Sequence, residues 1–421
     1  MATTTTTRSG TFYGWRVVAA AFVLAAFGWG MGFYGPPVFL SVVHASRGWP
    51  LILISTAVTA HFLAGAVAGG NLPALYRRFG VPTVTKAGAL LLAAGTTGWA
   101  TASAPWQLFA AALLSGAGWG AMSAAAINAI VSPWFVRGRA AALAMAYNGG
   151  SIGGVIFSPL WVAAIGVLGF PIAAAAIAGV MAVAMWVLAW TLFSRTPQQM
   201  GLTPDGDGPG ARTTPVTAPA AKPLPGSLLW RDLKFWTLAA GMALGLFAQI
   251  GLVAHLFSLL VPTLGAQSAG LAMGLATALA IAGRTVVGWA MPLGADRRLV
   301  ASLSYGAQMI GSIVLFVAGG TSIPLLLMGV VLFGIGFGNA TSLPPLIAQV
   351  EFVEQDVLRV VALIVAVAQG GYAFAPAAFG LIREFAPHAT GAAVGAAPGL
   401  FLAAALLQGL AIAAFLIGRR R

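Results

Sequence analysis

Arg284 lies in an apolar run from Leu271 to Pro292, LAMGLATALAIAGRTVVGWAMP, that contains no other charge. A run of that length reads as a transmembrane helix. An arginine near the centre of such a helix costs about 2.5–3.5 kcal/mol on insertion scales. The chain has 21 basic and 8 acidic residues, and Arg284 is the one charged side chain that the span assignment below places inside a span. A guanidinium there suits bidentate pairing with a carboxylate. No span holds an acidic residue as a standing partner, so the expected partner is an anionic substrate. The alternative is a structural arginine bonded to backbone carbonyls between helices.

Other polar residues within apolar runs are potential companions. His255, in QIGLVAHLFSLL, can donate a hydrogen bond or carry a proton, or be a neutral ring satisfied by a neighbouring helix. His61 falls at roughly the depth in the first half that Arg284 occupies in the second, though packing at the interface of the halves is the favoured reading for it. Tyr34, Tyr147, Asn148, Gln369 and Tyr372 are neutral donors and aromatic walls suited to a small organic anion or to binding helices together. Asn128 and Asn339 read as structural, and Trp119 as packing. Glu351, Glu354 and Asp356 follow the tenth span and are expected to pair with loop arginines. No phosphate loop, zinc-ligand spacing or catalytic triad is found. The expectation is therefore a protein that is not an enzyme, with no cofactor and no metal.

Composition sets the class. Charged residues make up 7%, hydrophobic residues 59%, and mean hydropathy is +0.93. Soluble domains carry about 25% charged residues, so an integral membrane protein in a lipid bilayer is expected. Cysteine is absent, which excludes disulfides and thiol chemistry. The net charge of +13 would suggest nucleic acid in a soluble protein. Here it follows from basic residues retained on one side of a membrane, and no nucleic-acid partner is expected. The apolar stretch after Arg16 runs to about Val43, too long for the core of a cleavable signal, and reads as a first span.

Twelve spans emerge: Val17–Val43, Leu51–Leu72, Ala87–Ala102, Gln107–Val131, Ala140–Gly166, Pro171–Phe193, Phe235–Val261, Ala269–Pro292, Leu299–Gly319, Ile323–Val350, Val360–Ile382 and Ala392–Ile417. Residues 194–234 include a Pro/Gly/Thr-rich stretch without apolar periodicity, which reads as a flexible cytoplasmic linker. It separates six-helix halves at 1–193 and 235–421. With both termini cytoplasmic, eighteen of the 21 basic residues fall on the inner side; Arg47 and Arg383 fall outside and Arg284 within a span. That bias sets the orientation and implies a cell (inner or plasma) membrane. Proline interrupts spans 1 (Pro36, Pro37), 5 (Pro159), 10 (Pro344, Pro345) and 11 (Pro376), where breaks lining a cavity are expected.

Six plus six spans around a linker resemble the major facilitator superfamily. Its usual loop between spans 2 and 3, Gly-x-x-x-Asp-Arg-x-Gly-Arg, here reads NLPALYRRFG, with Arg77 in the place of the Asp and Arg78 and Gly80 matching. The second-half counterpart, GWAMPLGADRR, retains Asp296, Arg297 and Arg298. Within the superfamily the chain is similar to the monocarboxylate transporter group and the related oxalate–formate exchangers. The similarity is carried by Tyr13–Trp15, by Trp134, Phe135, Arg137, Arg139, Gly149, Gly153, Gly154 and Pro159, and by Arg284 followed by Gly288. It implies that Arg284 is the substrate arginine. The chain departs from animal carriers at Ala280, where they have Asp, and near Tyr34, where they have Lys. It departs from oxalate exchangers in span 11, which has Gln369 and Tyr372 and no lysine. One positive charge favours a monoanion over a dianion.

The expected function is secondary transport of a lactate- or pyruvate-like monocarboxylate by alternating access. Moving an uncompensated anion against the potential costs about 2.3 kcal/mol per 100 mV. Proton symport is therefore expected, with a proton on His255, on His61 or on the substrate. Exchange of anions of the oxalate–formate type is the alternative. Further alternatives are an efflux carrier for larger amphipathic compounds and a non-transporting sensor on a carrier fold. Such carriers are expected to work as monomers.

Overall fold

The computed structural model describes residues 12–206, 226–292, 294–385 and 397–419. Its regular secondary structure is helical throughout the described residues. Eleven segments are long and apolar enough to cross a membrane. Val81–Thr101 has the length, 21 residues, but its Lys86 and threonines make it less apolar; with it the twelve spans are complete.

In chain order, span 1 is Tyr13–Arg47, span 2 Leu51–Phe79, span 3 Val81–Thr101, span 4 Pro105–Trp134, span 5 Arg139–Leu168 and span 6 Phe170–Thr191. Spans 7 to 12 are Leu233–Leu264, Ala266–Ala290, Arg297–Ala318, Ile323–Glu351, Glu354–Phe385 and Pro398–Arg419. The start of span 1, the end of span 12 and the junctions after even-numbered spans share one face, here the terminal face; the opposite one is the far face.

Packing repeats between the halves. Span 1 packs on 5, 2 on 4, and 3 on 4 and 6; correspondingly span 7 packs on 11, 8 on 10, and 9 on 10 and 12. The main contacts across the halves, span 5 with 8 and span 2 with 11, exchange under the same relationship. Small residues allow this closeness. A Cβ on Gly149 or Gly153 of span 5 would strike the Phe22 or Ala26 carbonyl of span 1, so this Gly-x-x-x-Gly face is a backbone-to-backbone seam.

Several span ends lie beyond those expected: span 2 continues through Pro73 to Phe79. Breaks follow local backbone rather than proline alone. Span 1 breaks at Phe33–Tyr34, just before Pro36, and span 11 at Ala373–Phe374, just before Pro376. Span 10 breaks at Gly338, with Pro344 and Pro345 inside the following helix. The expected break at Pro159 does not occur, since span 5 is one helix through it. Span 4, without a proline at that point, breaks at Ala121–Ser123, after the glycine-rich GAGWG.

The loop before span 9 forms a charge latch. Arg298, 2% exposed, donates from Nε and Nη2 to Glu351 at 2.6 and 2.7 Å, and also to Thr237 Oγ1 and the Lys234 carbonyl. Asp296 caps span 9 through the Leu299 N–H at 3.0 Å and pairs with Arg419. The pairing expected for Glu351 is thus present, while the side chain of Glu354 lies outside the described residues. In the first half Arg77 is exposed.

The segment expected to be an unstructured linker begins as docked chain. Met200 and Leu202 pack against the first-half core, and residues 204–206 form a turn against span 1 and the Ser132–Trp134 turn. Residues 207–225 lie outside the described residues.

Candidate functional site

The break in span 1 turns Tyr34 inward, where it is 6% exposed. Its ring lies over Gly154 of span 5: a Cβ there would sit 2.5 Å from the Tyr34 ring and 2.6 Å from the Thr277 methyl. Glycine at 154 therefore lets an aromatic ring from span 1, span 5 and a threonine from span 8 meet at one point.

Arg284 stands two helical turns after Thr277, on the same side of span 8. Its Nη2 donates to Ser151 Oγ of span 5 at 3.4 Å, a long hydrogen bond. Its Nε is buried and has no partner among the described residues. Arg284 also lies near enough to Tyr34 for the two to interact electrostatically. The result is a guanidinium, two hydroxyl side chains and a phenol at the junction of spans 1, 5 and 8. No acidic side chain is among these groups.

The expected companions divide. Tyr34 belongs to this cluster. Asn148 is one turn from Ser151 toward the terminal face, and it is exposed. Tyr147 is half-buried and donates to the Ala124 carbonyl of span 4 at 3.2 Å. Gln369 and Tyr372 are half-buried on span 11, and the Tyr372 ring meets Phe62 of span 2 edge-on at 6.4 Å.

The two histidines are held elsewhere. His61, 1% exposed, has Nδ1 at 2.8 Å from Ser115 Oγ and Nε2 at 2.8 Å from the Gly32 carbonyl, with its ring stacked on Trp119. All these partners belong to the first half. His255, fully buried, meets the Pro376 carbonyl at 3.1 Å through Nε2, while Nδ1 has no partner among the described residues. Ser258 donates to the His255 carbonyl and receives a bond from Arg383. Neither ring is brought into hydrogen-bonding contact with Arg284. Ser151 and Thr277 were missed by sequence reading, although helical spacing from Asn148 and Arg284 points to both.

Contacts between the halves extend from the far face to this cluster. Gly380 of span 11 packs on Ser55, the Ala377 N–H donates to Thr59 Oγ1 at 3.2 Å, and Gly270 and Gly274 pack on Ser158, Pro159 and Val155 of span 5. A small apolar cavity lined by Phe33, Phe62 and Val253 lies between the halves. Beyond the cluster toward the terminal face, Met145 and Asn148 are exposed, and a Cβ on Gly288 would meet no neighbouring helix within 4 Å among the described residues. The contacts between the halves named here thus run from the level of Arg284 to the far face.

Two six-helix bundles with a polar cluster between them define a membrane carrier. Residues 18–376 match the family model described as Major Facilitator Superfamily, and the chain belongs to that superfamily. No curated protein matches the sequence. Among solved structures, the nucleoside transporter NupG is similar with a TM-score of 0.73 at 13% identity, covering 98% of this chain and 100% of that one. A bacterial homologue of the human lysosomal transporter Spinster, inward-facing and unoccupied, gives 0.71 at 14% identity, covering 98% of each chain. At these identities the likeness establishes the fold.

Proposed function

We propose that this carrier moves a small organic anion, a monocarboxylate of the lactate or pyruvate kind, by rocking its two halves about Arg284. The observation that carries the reading is the Arg284 side chain: an in-span guanidinium with an unpartnered buried Nε and one long bond to a neutral hydroxyl. A buried donor left unsatisfied costs about 1–3 kcal/mol, more when charged. A carboxylate accepting from Nε and Nη2 removes that penalty and neutralises the site. Tyr34, Thr277 and Ser151 then supply neutral hydroxyls around it, and Asn148 stands on the approach.

The charge bias of the loops supports cytoplasmic termini in an inner or plasma membrane, so the terminal face is the cytoplasmic one, and substrate reaches Arg284 from that side past Asn148. The carrier works as a monomer, and proton symport is the coupling proposed. With both His61 nitrogens hydrogen-bonded, the proton travels on the substrate or on His255 Nδ1. Anion exchange is the second reading, favoured by this engagement of His61: an exchanger needs one cation and no proton carrier.

The test is uptake of labelled monocarboxylates by reconstituted vesicles carrying the wild type, Arg284→Ala or Arg284→Lys. Loss in both variants is expected, because lysine keeps the charge but not the fork. Normal transport by both would contradict the assignment. Uptake driven by an imposed proton gradient supports symport; uptake that requires internal anion supports exchange.

A further inference from the structure

The second half has its acidic latch, Glu351 on Arg298. The equivalent loop of the first half has Arg77 where an aspartate would stand, and Arg77 is exposed. An acidic residue nevertheless reaches the terminal face of the first half from another part of the chain. Asp205 accepts from three consecutive backbone N–H groups: Val136 at 3.1 Å and Arg137 at 2.9 Å on Oδ2, and Gly138 at 3.1 Å on Oδ1. Successive N–H groups converging on one point form an anion-binding nest, and here it lies immediately before the first residue of span 5. The Arg137 charge faces the same carboxylate.

The backbone at Asp205 is arranged for this contact. Its φ of +63° is the one positive φ of a non-glycine residue among the described residues. Asp tolerates that conformation better than most side chains. Met200 and Leu202 pack against the first-half core just upstream, so one polar and two apolar anchors hold the same short segment.

We propose that Asp205 is the first half's acidic latch, supplied by the chain that follows span 6: it clamps residues 195–206 to the backbone that opens span 5. The latch rests on local geometry and holds whatever the carrier transports.

The test uses the full chain in vesicles, exploiting its lack of cysteine. Met200→Cys is the only thiol, and its rate of labelling by a membrane-impermeant maleimide is read with the terminal face accessible. With Asp205 intact, half-buried Met200→Cys labels slowly. Adding Asp205→Ala removes all three bonds and should raise the rate at least about tenfold, the loss expected for even one charge-assisted hydrogen bond. Asp205→Asn keeps the shape and one acceptor oxygen and should give an intermediate rate. A rise in Asp205→Ala alone keeps the latch and assigns it to hydrogen bonding without charge. Equal labelling in all three chains overturns the proposal.

Discussion

Arg284 of span 8 donates across the boundary between the halves to Ser151 of span 5, through a hydrogen bond of 3.4 Å that joins the two halves at the level of the site. The bond is long and its acceptor is neutral, so a carboxylate can compete for the same guanidinium. Once displaced from the guanidinium, the Ser151 hydroxyl is free to donate to the bound carboxylate, so Ser151→Ala should leave folding intact and raise KM about two- to tenfold, the range of one neutral hydrogen bond. Transport kinetics in vesicles check this. A loss as deep as that of Arg284→Ala would mean that Ser151 does more than neighbour the arginine.

Gly154 tests the junction from the other side. A valine there would meet the Tyr34 ring and the Thr277 methyl at under van der Waals distance. Overpacking of this kind costs about 1–3 kcal/mol. Because the ring it displaces faces the site, Gly154→Val should weaken substrate binding by more than it lowers Tm. Binding measured by titration and Tm measured by scanning fluorimetry separate the two effects.

The far face closes where Gly380 of span 11 lies against Ser55, 2.6 Å from where its Cβ would be. Gly380→Leu should prise spans 2 and 11 apart and shift the carrier toward the state open on the far face. Thiol labelling of Ser55→Cys, fast in Gly380→Leu and slow with glycine, reads this shift. Equal rates would mean that this contact does not hold the halves together on the far face.

The number of spans and the isolation of Arg284 were legible in the sequence, because hydropathy and charge report on the surrounding solvent directly. Helix breaks were less so. Pro159 is carried within an unbroken helix, and span 4 breaks without proline, since neighbouring helices decide whether a freed carbonyl finds a partner. The histidines show a similar limit. A polar side chain in an apolar run signals a need for partners, but the sequence does not say that Ser115 and the Gly32 carbonyl meet that need for His61. Ser151 and Thr277 were readable only once Arg284 and Asn148 had set the helix faces. Asp205 lay in a stretch whose composition suggests a flexible tether, and only the nest at Val136–Gly138 reveals its role.

The Arg298–Glu351 pair is buried on its arginine side. Glu351→Gln should destabilise the second half by about 3 kcal/mol, the lower end for breaking such a pair while one charge stays buried. A fall in Tm without a change in KM is the expected pattern. Replacing both residues together with apolar ones of similar volume should recover part of the loss.

Acid should loosen the terminal face through two carboxylates outside the membrane. Burial pushes Asp205 up, but the Arg137, Gly138 and Val136 N–H groups and the Arg137 charge outweigh it, leaving Asp205 below its ordinary value of 3.8. At Asp296 burial is likewise outweighed, by the Leu299 N–H and by Arg419. A carboxyl group depressed in the folded state contributes stability above its unfolded value and loses it as pH falls through the folded one. Tm should therefore hold steady as pH drops to about 5 and decline below about 4. Asp205→Ala should show a shallower decline.

The central claim is that Arg284 binds a carboxylate, and the most direct measurement is the thermal shift of purified wild type and Arg284→Ala across a panel of mono- and dicarboxylates. A ligand that binds only the folded state stabilises it by RT ln(1 + [L]/Kd), about 2.7 kcal/mol at a hundredfold excess over Kd. Stabilisation of the wild type by a monocarboxylate, absent in Arg284→Ala, is the predicted result. Stabilisation that persists in Arg284→Ala, or no response to any acid in the panel, would contradict it.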